Sequence, residues 1–279
     1  MMYLSMQRIW NVHRDVLVSL IQQRDLLLHL IRRDVANRYK GSYFGVLWAI
    51  ANPLLLLGVY TLVFSTIMHS RWDASSSQEG HMDFAIILFA GLLCFNVFAD
   101  TTNRASTIVL DHKNYVKKVV FPLHFLPLMA LASALFTGAM SLSILMVAIW
   151  IFKTGFGLMA LLIPVLLLPL IFMTLGAALL IAALGVYIRD VAQIVGLFNM
   201  VFMFLSPIFF PIERTPERLR SLAEFNPLAV VVTQMREILI FHGGFDWYSW
   251  EIALLVSLLI LELGLLFFRA VQRGFADVI

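Results

Sequence analysis

Six apolar runs dominate this sequence and restrict what it can fold into. Residues 41–70, 84–99, 119–152, 154–188 and 191–212 contain no Asp, Glu, Lys or Arg, apart from Lys153 between two of them, and 247–268 contains only Glu251 and Glu262. A helix needs about 20 mostly apolar residues to cross a hydrocarbon layer about 30 Å thick. Spans must also satisfy their own backbone polar groups, which selects helices. Composition agrees: 61% of residues are hydrophobic and 13% charged, against about 25% charged in soluble domains. That is too little charge to coat a water-facing surface. The expected fold is an all-α polytopic membrane protein with six transmembrane helices. It forms one domain over 1–279: an arm at 1–40, a six-span region at 41–268 and a tail at 269–279.

Basic residues set the expected orientation. With the N-terminus cytoplasmic, fourteen of the 20 Lys and Arg fall on inside segments, namely the arm, the 104–118 loop, the 187–190 turn and the tail. This bias predicts both termini inside. The first 40 residues lack the apolar stretch of a cleavable leader, so the first run is expected to be a retained anchor. Segment 24–39 reads as an amphipathic helix at the membrane interface, with Leu27, Leu28, Ile31, Val35 and Tyr39 on one arc and Arg38 interrupting it. Segment 213–246 reads as two short re-entrant helices before the last span. Thr215-Pro216 and Asn226-Pro227 form N-cap and N1 pairs, and Gly243-Gly244 can end the second helix.

Several chemistries lack their signatures. The sequence has no G-x-x-x-x-G-K-[ST] and no G-x-G-x-x-G, so no familiar nucleotide loop is present. Its seven histidines are scattered without metal-ligand spacing. One cysteine, Cys94, excludes an intrachain disulfide. The small net charge of +3 is not read as nucleic-acid binding. Glu262 admits two readings, a proton or ion-pair site within the membrane and an acid snorkelling to the interface.

The motifs resemble a known family. Arg38-Tyr39-Lys40-Gly41-Ser42 leads into Leu47-Trp48 and Asn52-Pro53-Leu54. Asn114-Tyr115-Val116-Lys117-Lys118 precedes Phe121-Pro122 and Leu126-Pro127. Arg189-Asp190, Asn226-Pro227-Leu228 and Phe275-Ala276-Asp277-Val278 follow in order. Together they resemble the ABC-2 type permeases that export polysaccharide (O-antigen, capsule and teichoic acid), and above all the Wzm-like O-antigen permeases. The resemblance implies a homodimer of permease chains in the bacterial inner membrane, served by two ATP-binding cassette subunits. ATP and Mg would then sit on those partners and no cofactor on this chain. The implied substrate is a lipid-linked glycan, commonly on an undecaprenyl carrier, moved outward.

Within that frame, Asn114, Tyr115, Val116, Lys117 and Lys118 are expected to contact the ATPase, with Arg189 and Asp190 as a second contact. A topology-holding basic loop and a local ion pair are the plainer readings. Tyr43, Phe44, Trp48, Tyr60 and Phe64 on the first span, with Phe198, Phe202 and Phe209 on the fifth, are expected to line the conduit between the two chains. Aromatic faces pack on sugar C–H surfaces and hold them weakly; ordinary packing is the alternative. Tyr39 and Tyr43 could instead meet a pyrophosphate or lipid headgroups. Gly41, Gly45 and Gly58 are expected to allow close approach at the seam, with a turn into the span as the alternative for Gly41 and Gly45. A drug or lipid permease of the same superfamily, and an ion-driven flippase, remain the rival classes.

Overall fold

A computed structural model of the protein describes residues 14, 16, 18–40, 43–63, 81–117, 121–152, 155, 157–212 and 225–279. Among the described residues all regular structure is helical. The main helices are α1 (Arg24–Tyr39), α2 (Trp48–Tyr60), α3 (His81–Asp111), α4 (Phe125–Phe152), α5 (Leu168–Tyr187), α6 (Val191–Leu205), α7 (Pro227–Arg236) and α8 (Trp247–Val271). Four segments are long and apolar enough to cross a bilayer: Phe84–Asp111, Phe125–Phe152, Leu158–Tyr187 and Trp247–Val278. The first and fifth runs supply shorter apolar helices, Trp48–Val63 and Val191–Leu205.

Particular residues set these boundaries. Pro164 and Pro169 lie in the first turns of consecutive helical pieces rather than in a helix interior, where a missing N–H is tolerated. Helix α6 stops at Leu205, short of the expected 212. Ser206 is extended at φ −88, ψ 145, the conformation that a following proline favours, and Pro207 is next. Gly45 has φ +51 and so serves as a left-handed turn into α2. No atom lies within 4 Å of a side chain built on Gly58. Gly41, Phe64, Lys118, Thr215 and Pro216 lie outside the described residues.

The second span differs most from the sequence expectation. It continues from the apolar run through Asp100, Thr101, Thr102, Asn103 and Arg104 to Asp111 as one helix of 31 residues. The segment expected as a loop from 104 is therefore helical to Asp111, and a further turn, Lys113–Val116, follows. The polar residues that end the run have partners inside the protein. Thr101 and Thr102 donate back to Val97 O and Phe98 O, and the others pair with neighbouring helices as described below.

Two cores fill the bundle. The one at the terminal end, where Val16 and Ile279 pack, joins Leu30 of α1, Ala105 and Val109 of α3, Phe125 and Met129 of α4, Ala182 of α5 and Phe268 and Phe275 near the C-terminus. The far core packs the first half of α3 against α4, α5 and α7. Helix α3 is the central strut: 89% of its most apolar window is buried. Backbones approach closely where side chains are minimal. A Cβ on Gly264 would strike the backbone of Gly176, and one on Gly185 the backbone of Ser106. Small residues permit such crossings where helix association depends on packing rather than water exclusion.

Helix α7 is the second of the two short helices expected before the last span, and its start matches the N-cap expectation. Asn226 accepts a hydrogen bond from Leu228 N at 3.0 Å and Pro227 follows it. Nine of its residues, from Pro227 to Val232 and from Gln234 to Arg236, are buried. A π-helical turn, Glu237–Phe241, continues it. The expected glycine stop is placed one residue late. His242 at φ +55 carries the left-handed turn, and Gly243 N then donates to Glu237 O at 2.8 Å.

Candidate functional site

Three surfaces could do work: the face around the termini, the aromatic grooves along α2 and α6, and the ring of polar residues around α3.

At the terminal end α1 lies against α4 and is fastened by charge. Arg38 donates two hydrogen bonds to the Asp100 carboxylate, at 2.7 and 2.8 Å. Burial pulls the Arg38 pKa down, but its hydrogen bond to Asp100 and that group's charge leave it raised. Asp34 accepts from Arg104 through both oxygens at 2.7 Å. Ser19 and His124 share a hydrogen bond at 2.9 Å. Bidentate guanidinium–carboxylate pairs fix orientation as well as distance. Arg38, which interrupts the apolar arc in sequence, is thus one of the residues that docks the helix. Leu28, assigned to the same arc, is 49% exposed, and Leu30 takes its place at 4%. The helix is rotated toward its acidic and basic partners.

The expected ATPase contacts divide into two groups. Lys113, Asn114 and Lys117 are exposed. Tyr115 is not a free tip. Its ring stacks between His112 and Phe121, with centroids 5.9 and 4.3 Å away, and its hydroxyl accepts from Arg33 at 2.6 Å. Val116 packs beside it against the terminal core. Arg189 and Asp190 are exposed in the turn before α6, where Asp190 O accepts from Gln193 N and Ile194 N. The turn adjoins the tail through Tyr187, whose hydroxyl donates to Val271 O at 2.9 Å.

The aromatic candidates are not gathered in one place within the chain. Tyr39 is 8% exposed, and its hydroxyl is 3.5 Å from Thr137 Oγ1, so it faces α4 instead of an open path. Tyr43, Phe44 and Trp48 form an edge-to-face ladder at 6.1 Å steps, with Tyr43 fully exposed. Tyr60 packs against the far core. Phe198 and Phe202 stack at 5.3 Å, and Phe202 rests on Phe98 at 5.1 Å. With Phe204, Phe210 and Phe225 they line an apolar cleft of about 500 Å³ among α3, α5, α6 and α8. Phe209 stacks on Phe204 at 5.5 Å. Helix α2 packs on α3 and α4, whereas α6 packs on α3 and α5.

Sequence reasoning missed the polar ring around α3. Asn199, 4% exposed in the middle of α6, donates to Thr102 Oγ1 and Asn103 Oδ1, both at 3.0 Å. Arg236 is 3% exposed. It donates to Ile87 O at 3.0 Å, Pro207 O at 2.6 Å and Ile208 O at 2.7 Å, binding α3, the end of α6 and α7 together. Gly91 makes room for it, since a Cβ there would meet the guanidinium. The available signal was a lone arginine in an apolar helix. Among the described residues no three His, Cys, Asp or Glu side chains converge as metal ligands.

Comparison with known proteins gives a consistent picture. Residues 25–240 match the family model of the ABC-2 type transporter. The chain is 28% identical to the O-antigen export system permease protein RfbA of Myxococcus xanthus, with 94% of this chain and 98% of that one covered. It is 26% identical to the O-antigen export system permease protein RfbA of Klebsiella pneumoniae, with 91% and 95% covered. It is also 26% identical to the polysialic acid transport protein KpsM of Escherichia coli, with 88% and 93% covered.

Proposed function

We propose that this chain, which belongs to the ABC-2 type transporter family, is the permease of a polysaccharide exporter that moves a lipid-linked glycan outward across the bacterial inner membrane. The observation that carries this reading is the end-to-end similarity to proteins named as O-antigen export permeases. Two permease chains and two separate ATPase subunits complete the machine, and both termini are cytoplasmic. The sequence supports a separate energy source because it holds no phosphate-binding loop. Six spans are completed by the short helices α2 and α6 together with the four long ones.

In this arrangement the exposed Lys113, Asn114 and Lys117, with Arg189 and Asp190, meet the ATPase. The first three stand at the end of a helix that runs through the whole core, so a push at the tip moves a rigid element. Tyr115 acts from behind, holding the tip to α1 through Arg33. The exposed apolar faces of α2 and α6, including Leu54, Leu55, Ile194 and Phe198, form the seam between two copies and line the conduit. Weak aromatic contacts suit a chain that must slide.

The test is replacement of the corresponding permease in a polysaccharide-exporting cell. The wild-type chain, co-expressed with its ATPase, restores surface polysaccharide, and an ATPase unable to hydrolyse ATP abolishes it. Cysteine pairs placed along α6 of two copies cross-link in the membrane. Normal surface polysaccharide without the chain, or ATP hydrolysis by the purified chain alone, overturns the reading.

A further inference from the structure

A second cleft, of about 330 Å³, opens between α1, α2, α3 and α4. Its chemistry is unlike that of the phenylalanine cleft. Asn52 on α2 and Asn96 and Asp100 on α3 line it, with Thr137 and Ser141 on α4 opposite and the Arg38 guanidinium at its terminal end. Asn96 lies at the midpoint of the 31-residue α3, about 22 Å from either end at 1.5 Å per residue. It is exposed although its neighbours Phe95 and Val97 are buried. Asn52 is exposed too. Among the described residues neither side-chain amide has a hydrogen-bond partner.

Two bare carboxamides at membrane depth are costly unless something polar meets them. The cleft also indicates what that is. Arg38 and Asp100 neutralise each other through two hydrogen bonds, so the residues lining the cleft offer no unpaired charge to an ion or a phosphate. What remains is neutral: amides that donate and accept, beside the apolar walls of Phe89, Leu93 and Leu56. Hydroxyls on the edge of a ring and C–H groups on its face match that pairing, as in a neutral pyranose.

We infer that this cleft is a saccharide subsite, in which Asn52 and Asn96 hydrogen-bond hydroxyls of the passing glycan while the Arg38–Asp100 pair closes the terminal end against charged ligands. The inference rests on the proposed export function and adds to it the place and chemistry of glycan contact. It puts contact on the polar side of α3, away from the aromatic face of α6.

The test labels Asn96→Cys in the full permease–ATPase complex in cells. A charged, membrane-impermeant methanethiosulfonate modifies the introduced cysteine, while native Cys94, fully buried, stays unmodified. Labelling is several-fold slower in cells that synthesise the polysaccharide than in cells whose first glycosyl-transfer step is blocked. Asn52→Leu with Asn96→Leu lowers surface polysaccharide about tenfold at unchanged chain level, as expected for two lost hydrogen bonds, and Asn96→Gln retains most of it. Labelling by lipid-soluble maleimide alone shows that the cleft faces lipid headgroups or acyl chains and overturns the inference. So does a disulfide joining the cysteines introduced at position 96 of two copies, or labelling equal in both cell types. If the wild-type chain fails to restore export, the functional proposal itself falls; if only the asparagine variants behave as wild type, the subsite alone does.

Discussion

The two ends of the bundle are held by opposite means. At the terminal end, α1 is fastened by ion pairs between side chains that are partly open to solvent: Arg38 and Asp100 are 32% and 27% exposed, and Arg104 and Asp34 are 29% and 13%. At the far end, one buried guanidinium binds three backbone carbonyls from two segments, Ile87 in α3 and Pro207-Ile208 after α6. Part-exposed pairs contribute little and can part and re-form. A buried cation that loses its partners, or carbonyls that lose the cation, costs several kcal/mol. The far end is thus firmly anchored through α7, whereas the pairs at the terminal end are the ones that can part at little cost; if the proposed ATPase docks there, that end is where its movement would be taken up.

The largest break in this contrast is Arg236→Met. It leaves the Pro207 and Ile208 carbonyls without this donor and removes a tie to Ile87 O, and is expected to remove about 2–4 kcal/mol of stability. The readout is chain level in the membrane and the thermal midpoint in detergent. Arg236→Lys recovers part of the loss, because one ammonium reaches fewer of the three acceptors. A wild-type midpoint for Arg236→Met would show that the far end does not depend on this anchor. Next is Gly185→Leu, whose side chain meets the backbone at Ser106. Overpacking there is expected to cost about 1–3 kcal/mol and to separate α3 from α5 at the terminal end, seen as lowered thermal stability.

Smaller effects are expected at the joint. Asp100→Asn removes a part-exposed pair, so the stability change is expected to stay within about 1 kcal/mol. Export nevertheless falls, because α1 loses its register on α3. The exchange Arg38→Asp with Asp100→Arg restores part of the export; equal export by Asp100→Asn and wild type would remove the joint from the mechanism. The least change in stability, within about 0.5 kcal/mol, is expected for Lys113→Ala, Asn114→Ala and Lys117→Ala together, since all three side chains are exposed. Their effect is read as weaker co-purification of the ATPase and reduced export. Tyr115→Asp is a poorer probe of the same contact, because it also breaks the stack on Phe121 and the bond from Arg33.

Hydropathy located the apolar runs, but it ended the second too early at Ala99. A window counts Asp100 and Arg104 as water-seeking and does not see that Arg38 and Asp34 await them. The sequence places Arg236 on the second short helix before the last span but gives no sign that it is among the most buried polar groups. Of the aromatic candidates, Tyr39, Trp48, Tyr60, Phe198 and Phe202 lie on helices, whereas Tyr43 and Phe44 sit in the turn before α2 and Phe209, expected on the fifth span, lies beyond the end of α6; nor did periodicity show that Tyr39 turns inward and that α2 and α6 flank different sides of α3.

The sequence by itself determined the helical class, the membrane setting, the order of the apolar segments and the cap at Asn226. Each follows from neighbours a few residues apart: run length against bilayer thickness and a side chain bonding the backbone of its own first turn. Only the tertiary structure decided where the polar groups are satisfied. Asp100 finds Arg38 across 62 residues, Arg104 finds Asp34 across 70, and Arg236 finds Ile87 across 149. In a low-dielectric interior an unmet polar group is expensive and a met one is strong. These distant encounters therefore set the rotation of α1, the length of α3 and the seat of α7, and no local pattern records them.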